Sequence, residues 1–185
     1  LLMYQQSGCT GDYKMSISVG INGFGRIGRS TFSHISESAR NDIHVTKINA
    51  TGPIETSAHL LKYDSVHGRF SGEIIVENDH LDVGNGPVKV FSSYDPNDLD
   101  WSGCDVVLEC TGKFNDGIKS KIHIQQGAKS VLISAPADNV DKTIVYGVNH
   151  RSLTEKDKIV SNGSCTTNCL APVSYTHLTL PTKPF

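Results

Sequence analysis

The sequence lacks long apolar runs and has almost no net charge. No stretch approaches the roughly 20 apolar residues that a helix needs to span a bilayer, which argues against a membrane protein. The net charge of −2, from 17 basic and 19 acidic residues, argues against nucleic acid as the main partner. The first fourteen residues lack a basic start followed by an apolar core, so we expect no secretory signal. A hydrophobic fraction of 37% over 185 residues is typical of one soluble globular domain of ordinary size.

The sequence also lacks the cysteine spacings of disulfide frameworks and of zinc sites. Its 5 cysteines are an odd number, and no C-x-x-C pair occurs. We therefore predict no metal site, a reducing compartment and a cytoplasmic location. The cysteines are Cys9, Cys104, Cys110, Cys165 and Cys169.

Patterns typical of strands and helices alternate along most of the chain. Ile17, Val19 and Ile21 alternate with small or polar residues, which predicts a strand over 16–22. The segment GFGRIGRSTFSHISESAR follows, with apolar residues at helical spacing, and the run IHVTKINA predicts a second strand. Strand, glycine turn, helix and strand make one βαβ unit, which requires a parallel pair of strands with a right-handed crossover.

The alternation continues towards the C-terminus. Pro53 is placed to be the first residue of a helix that reaches about Tyr63, and GNG separates two strands within EIIVENDHLDVGNGPVKVF. DVVLECTG predicts a strand buried on both faces, and Gly127 ends a helix that begins near NDGIK. SVLISAPA, TIVYGVN and KIVSN predict three more strands. The predicted fold class is α/β, with a doubly wound, mostly parallel sheet of the Rossmann type.

The glycine turn after the first strand is a candidate dinucleotide site. Residues 23–28, GFGRIG, match G-x-G-x-x-G in the required context between a strand and a helix. Gly23 makes the tight turn, Gly25 lets a pyrophosphate approach the backbone, and Gly28 lets helix and strand pack closely. The helix N-terminus then offers free N–H groups to the phosphates. A glycine-rich turn without a ligand is the alternative interpretation.

The acidic residue that usually holds the ribose 2′-hydroxyl is missing. The second strand ends at Asn49 and Ala50, and the nearest carboxylate is Glu55 in the next helix. An Asp or Glu at the strand end would bind the 2′-hydroxyl of NAD and exclude a 2′-phosphate. The cofactor is therefore predicted as NAD or NADP, with the choice left open by Ala50.

The segment SNGSCTTNCLAPV carries a candidate nucleophile. Cys165 follows a predicted strand and precedes an apolar run that begins a helix, and a helix N-terminus lowers the pKa of a thiol there. Ser164, Thr166 and Thr167 add hydroxyl groups suited to an anion such as phosphate. Cys169 lies one turn further along and is predicted to be packed. A buried, inert thiol is the alternative interpretation of Cys165.

Six segments together resemble the glyceraldehyde-3-phosphate dehydrogenase family. They are INGFGRIGR, HLLKYDSVHGRF, ECTGKF, GAKSVLISAPA, TIVYGVN and SNGSCTTNCLAP, and the resemblance runs from about Met15 to Val173. It implies a dinucleotide-binding domain over 15–164 and the start of a catalytic domain over 165–173. Residues 1–14 are interpreted as a non-native or disordered tail, and residues 174–185 as a tail foreign to the family that arose as a cloning, assembly or sequencing artefact.

The resemblance implies an activity and a set of site residues. Members of the family oxidise glyceraldehyde 3-phosphate to 1,3-bisphosphoglycerate, with inorganic phosphate as second substrate and a thioester on the cysteine that matches Cys165. Ser164 and Thr166 match positions that bind substrate or inorganic phosphate. The matching cofactor positions are Arg26 and Ile27 at the pyrophosphate, Asn49 on the adenosine side, and Thr111 and Ser134 on the path to the nicotinamide.

This sequence departs from the family in ways that matter for function. Ala50 stands where NAD-using members carry Asp, and Tyr94 stands where many carry Arg near the adenine. The family is roughly twice as long, and its base histidine and most substrate contacts lie past the end of the resemblance. His177 is too close to Cys165 to take that role, and His59, His67 and His123 are predicted as surface or packing residues.

Three functions remain open on the sequence. The first is the family's own activity, with little turnover expected from this chain alone and a homotetramer expected for the full-length family. The second is the related oxidation of erythrose 4-phosphate. The third is a dinucleotide-binding module without catalysis.

Overall fold

The computed structural model describes residues 16–38 and 40–177. The predicted tail 1–14 and residues 178–185 of the predicted foreign tail lie outside the described residues. Strands and helices alternate along the described chain. They are β1 (Ile17–Asn22), α1 (Arg26–Glu37), β2 (Ile43–Asn49), α2 (Ile54–Lys62), β3 (Tyr63–Asp64), β4 (Gly68–Arg69), β5 (Ile75–Glu77), β6 (His80–Asp82), β7 (Val88–Phe91), β8 (Val106–Glu109), α3 (Gly117–Gln125), β9 (Ser130–Ile133), β10 (Lys142–Thr143), β11 (Ile159–Ser161) and α4 (Cys165–His177).

The main sheet confirms the predicted doubly wound, mostly parallel plan. Its strand order is β10-β11-β9-β8-β1-β2-β7-β6-β5, and the strands from β10 to β7 are all parallel. Only β6 and β5 run antiparallel to their neighbours. The chain leaves β1 towards β2 on one side and later returns to β8 on the other. That reversal is a topological switch point, where ligands of such sheets bind beyond the carboxyl ends of the strands.

The core lies on both faces of the central strands. Ile21 of β1 and Ile48 of β2 are fully buried, and α1 covers one face with Phe32, which is 1% exposed. Ile27 is one of the apolar residues of this predicted helix, but it is 56% exposed. Five helical positions turn the chain by about 500°, so the two side chains point about 140° apart. A second apolar cluster surrounds the fully buried Trp101.

The segment 73–91 contains three strands, not the two predicted. Asn78 adopts φ 54° and turns the chain between β5 and β6, so the run EIIVENDHLD is itself a hairpin. The predicted hairpin at GNG is present, because β6 pairs with β7 across it. Asparagine tolerates this left-handed conformation better than most residues do, and its position inside an alternating pattern concealed the turn.

Two other boundaries differ from the prediction. Only the first residue of the predicted strand TIVYGVN, Thr143, lies in a strand, at the end of β10. The side chain of Asn149 accepts from the Val145 N–H at 2.7 Å and donates to the Thr143 carbonyl at 3.0 Å, and so ends the strand there. An asparagine side chain that bonds the backbone in this way competes with the ladder of a strand. Pro53 precedes α2 as its capping residue and is not its first helical residue.

Candidate functional site

The glycine turn between β1 and α1 has a separate geometric reason for each glycine. Gly23 has φ +95°, and a Cβ there would lie 2.8 Å from the Thr111 nitrogen. A Cβ on Gly28 would lie 2.2 Å from the Gly23 carbonyl oxygen, so only glycine lets α1 pack this close. Gly25 has no atom within 4 Å of where its Cβ would stand, which leaves the backbone open to a ligand. This pattern fits the predicted pyrophosphate cradle.

A cleft of about 360 Å³ opens next to this turn at the carboxyl ends of the parallel strands. Its walls are the glycine turn, residues 49–52 after β2, Ser93 and Tyr94, and the segment 110–114 after β8. No Asp or Glu lines it, whereas the cations Arg29 and Lys113 do. The Nε of Arg29 is buried and has no hydrogen-bond partner among the described residues. A cation-lined cleft beside an open glycine suits an anionic dinucleotide.

A buried carboxylate lies behind the cleft wall and bonds two of the wall residues, Asn22 and Thr111. Glu109 is fully buried and accepts from Asn22 Nδ2 at 2.6 Å, from the Thr111 N–H at 2.7 Å and from the Thr111 hydroxyl. The Nε2 of His123 lies 3.0 Å from Glu109 Oε2. Trp101 Nε1, which can only donate, lies 3.1 Å from His123 Nδ1. The neutral His123 therefore carries its proton on Nε2 and is the fourth donor to the carboxylate.

The part of the cleft wall at the end of β2 is fixed by Asn49. Its Nδ2 donates to Asn22 Oδ1 at 2.8 Å and to the Ser93 carbonyl at 3.0 Å, while its Oδ1 accepts from the Ser93 N–H at 3.1 Å. Ala50 follows, 4% exposed, with its N–H bonded to the Phe91 carbonyl at 2.9 Å. The end of β2 is therefore rigid and carries no charge.

The other predicted cofactor residues lie beside the cleft. Arg26 and Ile27 are exposed at the start of α1, and the Arg26 guanidinium lies 3.5 Å from Asp64. Ser134 directly follows β9, and its N–H donates to the Glu109 carbonyl at 3.0 Å. None of the three is part of the cleft wall, so side-chain contacts with a dinucleotide in the cleft are not expected from them.

The predicted nucleophile lies at the start of a helix. Cys165 is the first residue of α4 and is exposed. Ser164 caps the helix, because its Oγ accepts from the Thr167 N–H at 3.0 Å, and the same oxygen lies 3.0 Å from Thr166 Oγ1. The N–H groups of Cys165 and Thr166 make no hydrogen bond to the described residues. Free N–H groups and clustered hydroxyls at a helix N-terminus stabilise a thiolate and bind oxyanions.

The remaining thiols differ from Cys165 in their surroundings. Cys110 lies in the cleft wall, and burial raises its pKa to about 11. Burial also raises the pKa of Cys104. The prediction that Cys169 is packed is wrong: it is exposed, because no described element covers that face of α4.

Several residues of this site escape sequence reasoning. Asn22, Arg29 and Glu109 were not predicted as site residues, and His123 was predicted only as a surface or packing residue. Glu109 left one signal, an acidic residue inside the apolar run DVVLEC. His59 and His67 are exposed and His123 is buried, as a surface or packing assignment requires.

The described residues contain neither a metal-binding cluster nor a membrane-spanning helix. Within 16–38 and 40–177, no group of three or more His, Cys, Asp or Glu is placed to hold a metal ion. None of the helices in the same part of the chain is long and apolar enough to cross a membrane.

Comparison with known proteins identifies the family. The family model described as glyceraldehyde 3-phosphate dehydrogenase, NAD binding domain, matches residues 17–117. A glyceraldehyde-3-phosphate dehydrogenase of Cereibacter sphaeroides is 56% identical over 160 residues, which are 86% of this chain and 48% of that protein. One from Xanthobacter flavus is 56% identical over 162 residues, and the chromosomal one of Cupriavidus necator is 49% identical over 163, with the same shares covered.

The chain thus spans about half the length of the curated relatives it matches. Its parallel sheet, its switch-point cleft and its glycine turn are the features that an NAD(P)-binding domain requires. The chain belongs to the glyceraldehyde-3-phosphate dehydrogenase family and contains that family's NAD-binding domain.

Proposed function

We propose that this chain supplies the cofactor cleft and the nucleophile for the phosphorylating oxidation of glyceraldehyde 3-phosphate to 1,3-bisphosphoglycerate. One observation carries the proposal. The strands β1 and β11 run parallel in one sheet, so the glycine turn and the loop to Cys165 both leave its carboxyl edge, the end at which the parallel strands finish. The names of the relatives support the choice of substrate.

The cleft would hold the dinucleotide by its phosphates. Gly25 leaves room for the pyrophosphate, and the first turn of α1 contains no acidic residue that would repel it. The backbone of Arg26 and Ile27 lies at the same helix N-terminus, whose free N–H groups attract anions. Arg29 and Lys113 add positive charge from the cleft wall.

Residues at the carboxyl ends of the strands would decide where the adenosine and nicotinamide ends of the dinucleotide lie. Asn49, the last residue of β2, would contact the adenosine side. Thr111 and Ser134, just after β8 and β9, would lie towards the nicotinamide. Ser134 would contribute through its backbone position, because it is not part of the cleft wall.

The chemistry would begin at the Cys165 thiolate. Its sulfur attacks the aldehyde carbon and forms a hemithioacetal, and the N–H of Cys165 stabilises the developing oxyanion. Oxidation of this adduct would leave a thioester on Cys165, and a dinucleotide held in the cleft would supply the hydride acceptor. An oxygen of inorganic phosphate then attacks the thioester carbon, the carbon–sulfur bond breaks, and the thiolate returns. The hydroxyls of Ser164 and Thr166 would hold substrate or phosphate oxygens.

The cleft would accept NADP as well as NAD. Ala50 carries no charge at the position where a carboxylate would repel a 2′-phosphate, and Thr51, Thr56 and Ser57 bring hydroxyl groups to the same wall. Titration of the chain with each dinucleotide tests this. Binding of both supports the proposal, and binding of NAD alone contradicts it.

A chimaera tests the activity itself. Residues 15–173 of this chain would be joined to the C-terminal half of the Cereibacter sphaeroides relative, and reduction of NAD would be followed with glyceraldehyde 3-phosphate. We expect turnover that requires inorganic phosphate and that Cys165→Ser abolishes. A chimaera that binds NAD but oxidises the aldehyde equally well without phosphate, or after Cys165→Ser, contradicts the proposal.

The proposal includes the setting of the complete enzyme. The base histidine would come from the half of the relatives that this chain does not span, and turnover by this chain alone would be slight or absent. A homotetramer in the cytoplasm is proposed for the complete protein, in line with the family resemblance. The boundaries at 164/165 and 173/174 stay predictions.

A further inference from the structure

The side chain of Asn168 in α4 bonds to both ends of the loop that leads to Cys165. Asn168 Nδ2 donates to the Asn162 carbonyl at 2.6 Å and to the Ser164 carbonyl at 2.9 Å. The N–H of Asn168 also donates to the Ser164 carbonyl at 2.9 Å. The amide therefore bridges the beginning and the end of the three-residue loop 162–164, directly before the thiol.

The strand side of this loop is fixed independently. The Asn162 N–H donates to the Ile133 carbonyl at 2.9 Å, and the Gly163 N–H donates to Ser161 Oγ at 3.0 Å. Ser161 is fully buried, and its hydroxyl donates to the Ala135 carbonyl at 2.8 Å. These bonds attach residues 161–163 to β9 and to the segment after it. They do not reach the helix. Ser164 is joined to α4 by its cap on the Thr167 N–H as well, but among the described residues the Asn168 amide is the group of α4 that also reaches back to Asn162.

The first turn of α4 has little other support. Cys165, Thr166 and Thr167 are exposed, and Leu170 is 68% exposed. A thiolate at the start of a helix is stabilised only while the free N–H groups of that first turn stay aligned with it, and this effect fades beyond one turn. Without the amide bridge, the first turn would fray and the N–H groups of Cys165 and Thr166 would lose their fixed direction.

We propose that Asn168 is a positioning residue for the Cys165 thiol, which it keeps at an ordered helix N-terminus by bridging the carbonyls of Asn162 and Ser164. This inference rests on the proposed function, in which Cys165 is the nucleophile. Asn168 acts through the loop and does not itself take part in the covalent step.

The test measures thiol reactivity across pH. In the 185-residue chain with Cys169→Ser, iodoacetamide labelling of Cys165 is followed by the mass of its peptide between pH 6 and pH 10. We expect Asn168→Ala to lower the rate at pH 7 by about three- to tenfold and to change the pH profile of the rate relative to the parent. Asn162→Ala is the matched control, because the Asn162 side chain makes no hydrogen bond to the described residues.

A second variant separates hydrogen bonding from folding. Asn168→Asp keeps the size of the side chain but replaces the donor with an acceptor that faces two carbonyl oxygens, so we expect at least the same loss of rate. Circular dichroism and the melting temperature of both variants should match the parent, because Asn168 lies in a sparsely packed helix. A parent Cys165 that reacts no faster than an ordinary thiol would contradict the proposed function. A fast parent rate that both Asn168 variants retain would overturn the positioning role alone.

Discussion

At the scale of single residues, the four described cysteines illustrate how surroundings decide chemistry. Cys165 and Cys169 are exposed, Cys104 is buried, and Cys110 lies half-buried in the cleft wall. Burial raises the pKa of Cys110 to about 11, so its thiol stays protonated at pH 8. A raised pKa removes reactivity at neutral pH and restores it only as the pH approaches that value.

We therefore expect selective labelling by iodoacetamide at pH 7–8. Cys165 and Cys169 should react, while Cys104 and Cys110 should stay unmodified until the chain is unfolded. Peptide mass mapping with and without urea measures this. Equal labelling of Cys110 and Cys165 in the folded chain would contradict the described burial.

Introducing a single negative charge at Ala50 tests what decides the choice between NAD and NADP. We expect Ala50→Asp to lower the affinity for NADP by more than about tenfold, because like charges in contact cost several kcal/mol, and to leave binding of NAD intact. Ala50→Asn has nearly the same shape without the charge and should keep both affinities close to each other. If Ala50→Asn favours NAD over NADP as strongly as Ala50→Asp does, then the size of the side chain and not its charge decides the cofactor preference.

His123 tests the buried network behind the cleft wall. Changing His123 to Ala leaves Glu109 without one of its four donors and Trp101 Nε1 without an acceptor. Leaving a buried polar group without its partner costs about 1–3 kcal/mol in the free energy of unfolding. Urea unfolding followed by the emission of Trp101, the 1 tryptophan of the sequence, measures it. His34→Ala, at an exposed position of α1, should change stability by less than about 0.5 kcal/mol.

At the scale of elements, two glycine substitutions in the β1–turn–α1 unit are expected to affect different properties, one the stability of the fold and the other the affinity for NAD. Gly28→Ala would place a Cβ 2.2 Å from the Gly23 carbonyl oxygen, so we expect a loss of about 1–3 kcal/mol or more in stability. Gly25→Ala meets no atom within 4 Å, so it should fold normally but hold NAD at least about tenfold more weakly, because its methyl group occupies the approach of the pyrophosphate. Melting curves and NAD titrations distinguish the two. Normal NAD affinity in Gly25→Ala would remove Gly25 from the site.

The same elements show which parts of the fold could be predicted from the sequence alone. The central strands and α1 follow from strong local patterns, apolar alternation and a glycine turn, so their type and order are predictable. The turn at Asn78 and the interruption after Thr143 were missed, because each depends on an asparagine in a particular backbone or side-chain arrangement. The carboxylate of Glu109 finds its donors on β1, α3 and the segment after β8, and a contact of that range leaves only a weak trace in the sequence.

At the scale of the whole molecule, we expect this chain to bind the dinucleotide but to catalyse little or no oxidation of the aldehyde. The cleft is lined by the ends of β1 and β2 and by the segments after β1, β2, β7 and β8, so we expect the chain to bind a dinucleotide by itself. The base histidine and the substrate phosphate contacts of the family have no counterpart in the resemblance up to Val173. Loss of groups that act together with a nucleophile has large and non-additive effects on rate.

The most direct test of this account is a calorimetric titration of the purified 185-residue chain with NAD, coupled to an assay with glyceraldehyde 3-phosphate and phosphate. The account predicts saturable binding at one site, weakened by Gly25→Ala, with little or no turnover. A folded chain that binds no NAD, or that binds it equally well after Gly25→Ala, would contradict the cofactor site. Turnover by this chain near that of a complete relative would contradict the division of labour between the two halves.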